Sequence, residues 1–102
     1  MKKKEAREII AALKDYNLEF KQTSGACPEQ YDVFFDGKQV AYIRLRWGGL
    51  RVECPGVNGG KIYYHEFPDD MKGSFYNEKE REKYLEIIAQ KIKLWIEEQE
   101  NI

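Results

Sequence analysis

The reactive inventory of this chain is small: one histidine, two cysteines, two serines and scattered carboxylates. Acyl transfer by a nucleophile–base pair would need His65 beside Cys27, Cys54, Ser24 or Ser74, and neither serine sits in a recognisable motif. Glu53, Glu66, Asp69 and Asp70 offer carboxylates, but no spacing converges them for general acid–base work. A metal site from Cys27, Cys54 and His65 would lack a fourth strong ligand and any short cysteine spacing. No catalytic residue, metal or cofactor is therefore expected, and the chain reads as a binding module rather than an enzyme.

The sharper signal is Tyr42–Glu53, YIRLRWGGLRVE. Two adjacent glycines between alternating runs predict a tight hairpin, because both central positions of a two-residue loop need φ > 0. A turn on Gly48 and Gly49 would set Trp47 opposite Leu50, Leu45 opposite Val52 and Ile43 opposite Cys54, all on one face. The other face would pair Arg46 with Arg51 and Arg44 with Glu53. Like charges directly opposite are mildly destabilising, which an anion could relieve. Two exposed guanidiniums splaying into water are the plainer account.

Elements must position that hairpin. Ala6, Ile9, Ile10, Leu13 and Tyr16 recur at helical spacing and predict a helix over Lys2 to Tyr16, with Asn17 suited to a left-handed cap. Lys2, Lys3 and Lys4 at its start read as a solubilising terminus rather than a nucleic-acid arm. Leu18–Thr23 and Tyr31–Phe35 read as strands. A three-residue turn at Phe35-Asp36-Gly37 would set Val33 opposite Gln39 and Tyr31 opposite Ala41. CPGVNGG after Glu53 lacks the Lys-Ser/Thr of a phosphate-binding loop. Lys61–Phe67 is the last strand, with Ile62 and Tyr64 inward and Tyr63 and His65 outward. PDDMKGSFY reads as a linker. Asn77 and Glu80 resemble a capping box opening a long helix, with Leu85, Ile88, Ala89, Ile92 and Ile96 as its core stripe.

The expected fold is α+β, one domain over residues 1–102: an N-terminal helix, an antiparallel meander of four to five strands and a C-terminal helix. Both helices would pack on one face of the sheet. The opposite, open face would carry Phe34, Val40, Tyr42, Arg44, Arg46, Arg51, Tyr63 and His65. Ile87 and Leu94 fall outside the stripe of the last helix and offer a second contact surface. This helix–strands–helix order resembles that of double-stranded RNA-binding domains, but NEKEREK at the start of the last helix is charge-balanced where those domains are basic. Each cysteine precedes a proline, and the dipeptide resembles the haem-responsive Cys-Pro motif, which implies a thiolate ligand to iron. Two residues specify little, and a proline that ends a strand explains both.

Composition narrows the partner. Hydrophobic residues make up 42% and aromatics 14% of the chain, so it can build a core despite 34% charged residues. A net charge of −1 leaves no global field for nucleic acid. No apolar run approaches the roughly 18 residues of a membrane span. Charged residues also interrupt the apolar stretch near the start, unlike a signal peptide. The cytoplasm is the expected compartment, where a Cys27–Cys54 disulfide is disfavoured. A protein partner or self-association is the favoured reading, through the open sheet face or the Ile87/Leu94 side of the helix. The alternative is a nucleic-acid-binding module using Tyr42, Arg44, Arg46 and Arg51, with Tyr63 and His65 beside them.

Overall fold

The structure, a computed structural model, describes residues 16–100. Its sheet is a meander in sequence order: β1 (Glu19–Gly25), β2 (Glu29–Phe35), β3 (Lys38–Arg46), β4 (Gly49–Cys54) and β5 (Gly60–Glu66), each antiparallel to the next. One helix, α1 (Glu78–Glu100), follows and packs across β3, β4 and β5. The α+β class holds. The helix expected over Lys2 to Tyr16 and the three N-terminal lysines fall outside the described residues, Tyr16 itself excepted. Asn17 has a left-handed φ of 56°, and the helix it was expected to cap lies outside the described residues.

The β3–β4 hairpin turns on Trp47 and Gly48, not on the two glycines. Their φ values are 54° and 76°. Trp47 thus occupies the first left-handed position, and Gly49 begins β4. The pairs become Leu45–Leu50, Ile43–Val52, Arg44–Arg51, Tyr42–Glu53 and Arg46–Gly49. Gly49 has no left-handed φ, and the Tyr64 side chain lies close over it: a Cβ there would lie 2.6 Å from Tyr64 Oη unless that ring moved. The slip is two residues, so strand parity survives. Leu45, Ile43, Leu50, Val52 and Cys54 keep the buried face, and only Trp47 leaves it.

The β2–β3 turn is also shorter than expected. Asp36 and Gly37 form a two-residue loop with φ of 51° and 79°. On that register alone, Tyr31 and Val33 would point away from the core. A bulge resets it: Phe34 pairs with Gln39 and Val33 with Ala41, leaving Val40 extra, and Tyr31 then faces Ile43. A bulge restores the inward face at the cost of one unpaired residue. Val40 is accordingly buried at 8% exposure within the core and is not an open-face residue.

The facing of β5 is the reverse of the expectation. Leu50 pairs with His65, Arg51 with Tyr64 and Val52 with Tyr63. Tyr63 and His65 therefore look toward α1, and Tyr64 lies on the open face. Burial drives the choice, because the His65 ring packs 4.6 Å from Phe67 and 5.1 Å from Tyr84.

In α1 the stripe Leu85, Ile88, Ala89, Ile92 and Ile96 is buried as its period requires. Asn77 Oδ1 accepts from the Glu80 N–H at 2.8 Å, which satisfies one orphan donor of the first turn, and Glu80 Oε1 reaches back to the Tyr76 N–H, just before the cap, at 2.8 Å. Ile87 is half-buried and Leu94 is exposed.

Residues 67–77 are strapped down rather than linker-like. Phe67 N–H donates to the Gly48 carbonyl at 2.7 Å, and Gly48 N–H donates to the Lys72 carbonyl at 2.9 Å. Cys27 and Glu29 N–H both donate to the Gly73 carbonyl, at 2.9 and 2.8 Å. The strap runs so close to the hairpin tip that a Cβ on Gly48 would sit 2.7 Å from the Asp69 carbonyl oxygen. Gly48→Ala combines that clash with a left-handed φ. It is expected to lower stability by about 2 kcal/mol or more, read as a fall in thermal midpoint.

Candidate interaction site

The strap and the hairpin tip together build one surface. Trp47 is 64% exposed, Met71 68% and Tyr76 66%. Cys27, Arg46, Trp47, Met71 and Gly73 line a pocket of about 180 Å³. The Arg46 guanidinium lies 5.6 Å from the Trp47 ring. Asp69 organises the other side. Its carboxylate accepts from Met71 N–H at 2.9 Å and from Tyr76 Oη at 3.0 Å, and these bonds hold it below the usual carboxylate range. The same bond to Asp69 raises the Tyr76 hydroxyl.

Beneath the surface lies a buried polar cluster. The Glu29 carboxylate is fully enclosed. It accepts from Arg81 Nε at 2.7 Å and Nη2 at 3.3 Å, from Phe75 N–H at 2.9 Å and from the Tyr31 hydroxyl. Glu78 also accepts from Arg81. Burial alone would lower the Arg81 pKa, but the hydrogen bonds and charge of Glu29 raise it further than burial lowers it. Burial, then the Glu29 charge, push the Tyr31 phenol well up. Lys72 is equally enclosed. Its ammonium lies 2.9 Å from Glu80 Oε1, outside hydrogen-bonding geometry, and packs over the rings of Phe67 and Tyr76. These charges join the strap and the start of α1 to β2, and so hold Trp47 and Met71 in place.

Comparison of the chain with protein-family models, with characterised proteins and with solved structures returns no match.

The residues singled out from sequence divide between surfaces. Tyr42, Arg44 and Arg51 do share the open face. Tyr42 donates its hydroxyl to Gln30, and Arg51 Nε lies 2.8 Å from Glu53 Oε2. Arg44, not Arg46, faces Arg51, and Glu53 supplies the carboxylate that an external anion was invoked to provide. Phe34 is half-buried under Lys21. Tyr64, 47% exposed, takes the place expected for Tyr63 and His65, with Lys61 over its ring. His65 Nε2 instead lies 3.4 Å from Tyr84 Oη on the buried side. Arg46 belongs to the tip pocket.

Among the described residues no three His, Cys, Asp or Glu side chains converge as a metal site would require, and no helix is long and apolar enough to cross a membrane. Cys54 is buried, which pushes its thiol up to about 12, while Cys27 is exposed at the pocket. Sequence reasoning missed Trp47, Met71 and Tyr76 as a group. Three apolar side chains in a nominal linker, Met71, Phe75 and Tyr76, were the available sign that the segment packs.

Proposed function

We propose that this chain is a small non-enzymatic binding module that docks a protein partner on the Trp47–Met71–Tyr76 surface. The observation that carries the reading is Trp47 itself. A bulky residue at φ 54° is a backbone outlier, and this one keeps nearly two thirds of its surface in water. Strain of that kind is retained where function needs the side chain. Trp, Met, Tyr and Arg are also the residues enriched at interface centres. Both cysteines are free thiols, which fits a reducing compartment such as the cytoplasm.

The open sheet face supports the nucleic-acid reading less well. Arg44, Arg51, Lys61 and Tyr64 lie there, but Asp32 and Glu53 share the face, and Arg51 is already paired. Two variants separate the surfaces, with a partner first identified by affinity capture and then titrated in purified form. Met71→Ser is expected to weaken that complex at least fivefold, on the order of an interface anchor, while Arg44→Ala/Tyr64→Ala stays within about twofold. The opposite pattern would move the site to the sheet. Salt-dependent binding of single-stranded oligonucleotides, lost in the sheet variant, would replace the protein reading altogether.

A further inference from the structure

The tip pocket has a chemistry that narrows its partner. Among the described residues its walls are Trp47, Met71, Cys27 and Gly73, with one charged member, Arg46. Arg51 and Arg81 each hold a carboxylate, at 2.8 and 2.7 Å. Arg46 has no carboxylate within ion-pair distance among the described residues, and its guanidinium is held over the Trp47 indole. A guanidinium beside an indole and without a carboxylate of its own presents a planar fork of donors suited to a carboxylate. The pocket beside it, about 180 Å³, is of the size that accepts one aromatic ring, since an apolar cavity of about 150 Å³ holds benzene.

Resting on the docking reading above, we infer that the pocket takes a protein segment in which an aromatic or large aliphatic side chain stands next to a single Asp or Glu. The apolar side chain enters between Trp47 and Met71, and the carboxylate meets Arg46. A polyanion does not fit, because Glu66, Asp69 and Asp70 are exposed around the same tip and Arg46 is the sole cation among the described residues that line the pocket. Glu66 lies two strands across from Arg46, through Gly49, so it restricts the direction from which an acidic segment approaches.

The test uses the full chain and three peptides: acetyl-Phe-Glu-amide, acetyl-Phe-Gln-amide and acetyl-Phe-Lys-amide. NMR titrations follow the Trp47 indole N–H and the Met71 methyl, with Trp95 as the internal control. Saturable shifts are expected at Trp47 and Met71, with the Glu peptide binding about tenfold more tightly than the Lys peptide, the effect of one charge-assisted hydrogen bond. Arg46→Gln is expected to bring the Glu peptide down to the level of the Gln peptide and to leave the Gln peptide unchanged. Equal affinity of all three peptides at Trp47 and Met71, or discrimination that survives Arg46→Gln, overturns the carboxylate inference and leaves the docking reading standing. No shift at either residue with any peptide overturns both.

Discussion

Arg81→Ala is expected to cost about 3–5 kcal/mol of stability, the penalty for stranding a buried charge. The Glu29 carboxylate is fully enclosed, and Arg81 is the only cation bonded to it among the described residues. The Phe75 N–H and the Tyr31 hydroxyl would still donate to Glu29, but neither neutralises it. For a domain of this size the fall in Tm is at least about 12 °C, at roughly 4 °C or more for each kcal/mol. Urea unfolding should show the midpoint falling with an unchanged slope. Arg81 also packs its guanidinium 6.0 Å from the Phe75 ring, so part of any loss could be lost packing. Arg81→Met keeps much of the aliphatic bulk without the charge, and it is expected to cost nearly as much. A loss under 1 kcal/mol in both variants would show that Glu29 finds other compensation and that the cluster does not hold the strap.

That cluster also marks the limit of what a sequence discloses. The helix α1 was legible because its apolar residues repeat at a single period, and its start was legible because Asn77 and Glu80 make a local motif. Strand number followed from turn residues. Glu29 and Arg81 stand 52 positions apart, and nothing local in either neighbourhood announces the other. The hairpin failed in register for a specific reason: two glycines suggested both loop positions, yet Gly49 has no left-handed φ and begins β4 beneath the Tyr64 ring. The facing of β5 was illegible because Ile62, Tyr63, Tyr64 and His65 are all amphipathic or apolar, so alternation gives no contrast. The bulge at Val40 has no signal of its own and shows only in the need to keep Tyr31 and Val33 inward. As for the candidate site, Arg46 was singled out by a pairing with Arg51 that belongs to Arg44. Trp47 was placed in the core by the same two-residue slip that misassigned the turn.

Trp47→Asn converts the loop into Asn-Gly, the pair most favoured in two-residue hairpin turns with left-handed central residues. Relief of the left-handed strain should return about 1–2 kcal/mol. Against that stand the stacking of Arg46, about 0.5–1 kcal/mol at an exposed site, and the third of the indole that is covered. The two sides nearly cancel. Stability is expected within about 1 kcal/mol of the wild type, a Tm change of no more than roughly 8 °C. Partner affinity should fall about 30-fold or more, as for an interface anchor worth at least about 2 kcal/mol. A neutral fold with lost binding separates function from stability, because a tryptophan that held the core together would cost about 3–5 kcal/mol on removal. Loss of that size would make Trp47 a structural residue and its exposure incidental. A neutral variant that binds the partner as tightly as the wild type would move the docking surface away from the tip.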